Sequence, residues 1–198
     1  LRYGLEPLKT NDMRFMLTRG IFNAAAMLSY FMALTMLPLA EISALSFTAP
    51  LFVALLATIF LKERMGPRRI VSLIVGFSGV LIILRPGVDI IQIGAFYAIF
   101  SAISWGIAVV LIKHLSRTNS SLTITLYGLS FLTIFTFPPA LFVWQWPTGE
   151  QFMWLLAIAV AGNIGQLLLT QSLKIADASL VMPFDFTKLI WASIFGFL

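Results

Sequence analysis

The chain has no cysteine, a single histidine (His114) and few charged residues, 11% of 198. Each scarcity closes off a chemistry. Without cysteine there is no disulfide framework, thiolate metal site or cysteine nucleophile. One histidine cannot build a histidine-rich metal site, so no metal and no cofactor is expected. A soluble domain carries roughly 25% charged residues. This chain pairs its low charge with 60% hydrophobic residues. Its surface fits lipid better than water, so the bilayer is its expected solvent. The formal net charge is +5, but the cations fall in short clusters and form no continuous face. No nucleic-acid partner is expected.

What is present is a series of seven long apolar stretches, at 13–36, 42–61, 70–84, 93–112, 121–144, 152–173 and 178–198. A helix needs about 20 apolar residues to cross a bilayer's hydrocarbon core. The third stretch is short, about 22 Å of helix, and Arg69 and Arg85 can snorkel to complete it. Leu37-Pro38, Gly66-Pro67 and Arg85-Pro86-Gly87 break the chain between stretches. The cations take alternate gaps. Arg2, Lys9, Arg14 and Arg19 precede or open the first stretch, and Lys62, Arg64, Arg68 and Arg69 follow the second. Lys113 and Arg117 follow the fourth, and Lys174 follows the sixth. The other side has Arg85 alone. The positive-inside rule makes the crowded side cytoplasmic. Trp144 and Trp146 then fall at the outer interface, where indole rings collect. The fold class expected is all-α, a polytopic transmembrane helical bundle. The chain opens on Leu1 and stops at Leu198 inside an apolar run, so it reads as a fragment cut at both ends, with no signal peptide.

The stretch from Ala33 to Pro86, ALTMLPLAEISALSFTAPLFVALLATIFLKERMGPRRIVSLIVGFSGVLIILRP, carries a more specific pattern. An Ala-Leu precedes a Leu-Pro turn, Pro50 lies in mid-span, and Leu61-Lys62-Glu63-Arg64 forms the exit. A span with Gly76 and Gly79 then ends in Arg85-Pro86-Gly87. This resembles the first repeat of the EamA-type transporters of the drug/metabolite transporter superfamily. The stretch SLKIADASLVMPFDFTKLIWASIFGFL from Ser172 is similar to the same element of that family's second repeat. The resemblance implies ten helices in two inverted five-helix repeats, of which this chain holds spans three to nine. Residues 1–86 would then be the C-terminal part of the first repeat and 87–198 the second repeat, incomplete at its C-terminus. A weak internal match supports the division: Ala40, Leu51 and Ala54 fall on Ala178, Leu189 and Ala192 at one constant offset. The matched spans are five apart, an odd number, so the repeats must be inverted. Inverted repeats underlie alternating access, with substrate bound between them near the midplane.

Candidate site residues follow from polar groups inside apolar spans. Asp185 and Lys188 lie three residues apart, on one helix face. Their depths are roughly 10 and 15 Å from the cytoplasmic start of their span. A charge there costs at least about 2.5 to 3.5 kcal/mol. Such a pair binds substrate or couples to protons, unless it only neutralises itself or pairs with another helix. Asn163, Gln166 and Thr170 share a face of the sixth span, suited to polar substrate groups or to interhelical hydrogen bonds. Gly162 and Gly165 beside them favour close helix packing. Tyr97, Ser101 and Trp105 fall on one face of the fourth span, with Ser104 adjacent. Trp105 is far from the interfaces where tryptophan collects, and it could stack on an organic or cationic solute. Arg19, Asn23 and Tyr30 share a face of the first span, and snorkelling accounts for Arg19. Glu63, among Lys62, Arg64, Arg68 and Arg69, reads as a solvated loop or gate ion pair. Pro50 and Pro183 read as kinks that could serve as hinges.

The function expected is secondary transport of a small organic metabolite or drug by alternating access, with proton coupling or exchange as the candidate modes. Amino acids and S-adenosylmethionine-like solutes are the candidate substrates. An enzyme is not expected, because no catalytic constellation is present. A channel or scaffold is the alternative, and it would need neither the ionisable pair nor the repeat. The expected setting is the bacterial inner membrane, multi-pass. The expected partners are the metabolite and the lipid bilayer, with protons and a second copy (a homodimer) as further candidates.

Overall fold

In a computed structural model of the protein, the described residues are 10, 12–84 and 93–191. The regular structure among them is helical. In chain order the helices are α1 (Met13–Leu34), α2 (Leu39–Ser46), α3 (Ala49–Phe60) and α4 (Pro67–Leu84). They continue with α5 (Ile93–Leu115), α6 (Ser121–Phe142), α7 (Gly149–Ile175) and α8 (Ala178–Val181). A 3-10 helix, Met182–Phe186, follows, and α-helical residues resume at 187. Four stretches, Leu39–Phe60, Ile93–Leu115, Ser121–Phe142 and Gly149–Ile175, are long and apolar enough to cross a membrane. The chain is a multi-pass membrane protein. Residues 85–92 and 192–198, with Arg85 and the end of the seventh stretch, lie outside the described residues.

Two stretches that read as single spans are interrupted. The helix over 42–61 is split at Phe47 and Thr48 into α2 and α3, because Pro50 has no N–H to give the Ser46 carbonyl. Pro50 thereby sits in the first turn of α3, where a missing donor is harmless. Pro183 likewise denies a bond to Ser179, and the chain tightens to 3-10 geometry over 182–186. The two interruptions meet: the rings of Phe47 and Phe186 stack with centroids 6.1 Å apart.

Small side chains bring α1 and α5 together. Ala26 and Ala33 of α1, and Ala95, Ala98 and Ala102 of α5, are buried. A Cβ on Gly94 would lie 2.6 Å from Leu37 Cγ, so only glycine fits. The Ser101 hydroxyl donates across the pair to the Ala26 carbonyl, 2.7 Å away. Small residues let helix backbones approach, and approach is the main attraction between helices in lipid. Met16, Val53, Val109, Leu115, Ile124, Leu173 and Met182 form the largest core cluster. It fills the end of the bundle nearest the basic loops.

That end is also tied by polar contacts between distant parts of the chain. Lys62 takes a left-handed backbone (φ 57°) and reverses the chain after α3. Glu63 then caps α8: its carboxylate accepts from the Ala178 and Ser179 amides, both at 3.0 Å, and from the Ser179 hydroxyl at 2.8 Å. A carboxylate at a helix start meets unpaired N–H groups. Sequence pattern placed Glu63 in a solvated loop or a gate ion pair. Its partners are instead the backbone and hydroxyl of residues 178 and 179. Arg69 pairs with Asp177 at 3.0 Å and donates to the Ser179 hydroxyl at 2.7 Å. Lys113 donates to the Ala176 carbonyl at 2.8 Å. Nearby, Thr118 and Asn119 donate to the Asp12 carboxylate. These two bonds hold the Asp12 carboxyl below the usual carboxylate range.

Glu63→Ala leaves two helix-terminal amides unpaired. It should cost about 1 to 3 kcal/mol and lower the melting temperature in detergent, with Glu63→Gln between it and wild type. An unchanged melt for Glu63→Ala would mean that the cap contributes nothing to stability.

Candidate functional site

A cavity of about 810 Å3 lies between the helices. Solute sites in proteins run to about 300–1,000 Å3, so an organic metabolite fits. Its wall draws on α1 (Arg19, Asn23, Tyr30), α2 (Ser43, Ser46) and α5 (Ser101, Trp105). Gly128 and Leu132 of α6, Asn163 and Gln166 of α7, and the segment with Asp185 and Lys188 complete it.

Of the eight residues expected to bind substrate (Asp185, Lys188, Asn163, Gln166, Thr170, Trp105, Ser101 and Tyr97), all but Thr170 and Tyr97 line this cavity. Asp185 and Lys188 form an ion pair. The carboxylate is the sheltered partner, 18% exposed against 64% for the ammonium. Asp185 lies in the 3-10 segment itself, and Lys188 follows one helical residue after it. The Lys188 ammonium also sits 5.7 Å from the Trp105 ring centre, a cation–π distance. One cation therefore joins the interrupted helix to α5.

The other polar groups divide between lining and packing. The Ser101 hydroxyl is spent on Ala26. The Asn163 amide nitrogen donates to its own helix at the Ala159 carbonyl, 2.7 Å away, while the side chain stays exposed on the cavity wall. Two of the eight stand elsewhere. Thr170 is fully buried, donating to the Gln166 carbonyl at 2.8 Å and meeting the Thr125 hydroxyl of α6 at 3.5 Å. Tyr97 packs, half-buried, against the cluster around Ala33, Leu37 and Ile42. Gly162 and Gly165, which suggested close helix packing, have nothing within 4 Å of the position a Cβ would take.

Sequence reasoning missed Arg19. Snorkelling to an aqueous interface does not describe it: the residue is 2% exposed and lines the cavity. Its Nη1 donates to the Ile124 carbonyl of α6. Its guanidinium fills the space where residue 128 would carry a side chain, since a Cβ on Gly128 would lie 1.7 Å from Nη1. The signal was present as Arg19, Asn23 and Tyr30 on one helical face. The partner glycine on α6 was not recognisable without the tertiary fold.

Thr170→Val removes one interhelical hydroxyl contact and no cavity-lining group. It should cost about 0.6 kcal/mol of stability and leave solute affinity of the cavity unchanged, measured by titration of the purified protein. A tenfold loss of affinity would return Thr170 to the binding surface.

Comparison with known proteins agrees with this architecture. The model of the EamA-like transporter family matches residues 1–85 and 92–198. The chain is similar to a riboflavin transporter of Rhizobium johnstonii, at 34% identity over 95% of this chain and 63% of that protein. It is similar to an S-adenosylmethionine uptake transporter of Rickettsia bellii, at 27% identity over 97% of this chain and 66% of that protein. The chain thus spans under two thirds of the length of these relatives. A crystal structure at 19% identity superposes with a TM-score of 0.79, covering 98% of this chain and 71% of that one, which shows a shared fold. The chain belongs to the EamA-like transporter family.

Proposed function

We propose that the protein is a secondary permease for a small organic metabolite with a flat heteroaromatic body, working by alternating access around the central cavity. The observation that carries this reading is convergence. Ionisable and polar residues from α5, α7 and the interrupted helix, far apart in sequence, surround one cavity of metabolite size. Charge inside a membrane protein is costly and marks substrate or ion pathways. Trp105 offers a stacking face, and Asn163 and Gln166 offer amide groups. Riboflavin and S-adenosylmethionine, the solutes named for the relatives, both carry a fused nitrogen heterocycle. That shared chemistry favours the ring over the amino-acid head group as the part recognised first.

In this reading residues 1–86 and 87–198 are parts of two inverted repeats, and the interrupted helices of each meet at Phe47 and Phe186. Asp185 and Lys188, at the second interruption, bind substrate or carry the coupling proton. Thr170 and Tyr97 act through packing. The membrane is the bacterial inner membrane, with the basic loops cytoplasmic. The Glu63 cap and the Arg69–Asp177 pair then hold the cytoplasmic side closed. A channel or scaffold, the competing reading, needs no ion pair inside a cavity.

The test is uptake into proteoliposomes carrying the protein expressed from its gene. Labelled riboflavin and S-adenosylmethionine are offered with and without an imposed pH gradient. The expected result is saturable uptake of at least one of them, reduced at least about tenfold by Asp185→Asn, the scale of losing a charged contact. Non-saturable flux would support a channel. Saturable uptake that survives the substitution would make the Asp185–Lys188 pair structural.

A further inference from the structure

The charges around the cavity do not balance. Among the described lining residues three are charged: Arg19, Asp185 and Lys188. Asp185 and Lys188 neutralise each other, and Lys188 has the Trp105 face besides. Arg19 is left over. It is 2% exposed, and its Nε is buried with no hydrogen-bond partner among the described residues. Its one recorded side-chain hydrogen bond among the described residues is to a neutral backbone carbonyl, that of Ile124. A buried lysine could shed its proton, but a guanidinium stays charged in proteins. Burying it without a counter-charge is unfavourable unless a partner arrives. The site is nonetheless built to hold it. Gly128 leaves the space that the guanidinium occupies, and Ile124, one helical turn earlier on α6, fixes its Nη1. With Nη1 anchored, the other N–H groups of the fork have no recorded partner among the described residues. A planar fork of N–H donors matches the two oxygens of an oxyanion.

We propose that Arg19 is a specificity-determining contact of this cavity, and that the cargo presents it with an oxyanion, a carboxylate or a phosphate, on an aromatic body. The inference rests on the permease reading for the word cargo, but the binding chemistry stands apart from transport. The aromatic body lies toward Trp105 and the oxyanion toward α1 and α6. Neutral rings of the same size bind weakly, because they leave the guanidinium uncompensated; of the two solutes named for the relatives, S-adenosylmethionine has the carboxylate and riboflavin has no oxyanion, so the former is the better match. The cavity's ion pair contributes no net charge, so discrimination by charge comes from Arg19.

The experiment uses the purified protein in detergent and three probes with one ring system: 1-naphthoate, its neutral isostere 1-naphthamide, and 1-naphthyl phosphate. Affinities are read by calorimetry. Wild type should prefer at least one of the two anions over the amide by about tenfold or more, and which anion wins separates carboxylate from phosphate. Arg19→Gln should abolish that preference while changing amide affinity less than about twofold, and Arg19→Lys should retain part of it. Gly128→Ala, which leaves Arg19 in the chain but fills its seat, should also reduce the preference. Equal binding of anion and amide by wild type overturns the proposal, as does the absence of binding by all three. A preference unchanged in Arg19→Gln or Gly128→Ala also overturns it. Arg19-dependent anion binding without any uptake would count against the permease reading alone. Uptake indifferent to Arg19→Gln would count against the present proposal alone.

Discussion

The close approach of α1 and α5 is the constraint from which the rest of the bundle follows. Lipid tails are as apolar as leucine, so helices in a bilayer gain little from hiding apolar surface against each other. They gain from contact, and contact depends on small residues. Ala26, Ala33, Ala95, Ala98 and Ala102 supply it, with Gly94 held against Leu37. The Ser101 bond to the Ala26 carbonyl fixes the register of the pair. That register faces Arg19 and Asn23 of one helix and Trp105 of the other toward a common space. A larger residue at any of these contacts would separate the helices and change the wall of the cavity.

Inside that wall the cost of charge in apolar surroundings explains the polar arrangement. Asp185 and Lys188 meet within one turn, and the cation reaches over the Trp105 ring. Arg19 reaches across to α6 and takes a backbone carbonyl, using space that Gly128 leaves. The ion pair compensates itself, whereas the arginine keeps a buried nitrogen without a partner among the described residues. The asymmetry between them is the most informative electrostatic fact about the cavity.

The basic end is held differently. There the partners are helix termini and side chains near water. Glu63 satisfies the amides that begin α8, Arg69 meets Asp177, and Lys113 meets the Ala176 carbonyl. All three contacts join parts of the chain more than sixty residues apart. Below the cavity they are backed by the cluster around Met16, Leu115, Ile124 and Leu173. Contacts of this kind lie at the end of the bundle that carries the basic loops, apart from the ion pair of the cavity.

Hydropathy and the distribution of cations fixed which stretches are helices. They did so because a bilayer demands about 20 apolar residues per crossing and tolerates charge poorly. The boundaries of α1, α5, α6 and α7 fall close to those read from hydropathy alone. The prolines at 50 and 183 were legible as disturbances, although a kink and a full interruption look alike in sequence. Asp185, Lys188, Trp105, Asn163 and Gln166 were legible as candidates because each is out of place in lipid. Other questions depended on who sits opposite whom. Thr170 and Gln166 share one helical face, yet only the position of Thr125 makes Thr170 a packing residue. Arg19 looked like an interfacial cation because its depth on α1 allowed snorkelling. What buries it is a glycine and a carbonyl on α6, more than a hundred residues away. Sequence by itself determined the solvent, the helices and the expensive residues, since those depend on local transfer energies. The tertiary structure alone decided what surrounds Arg19 and Thr170, because their partners stand on another helix.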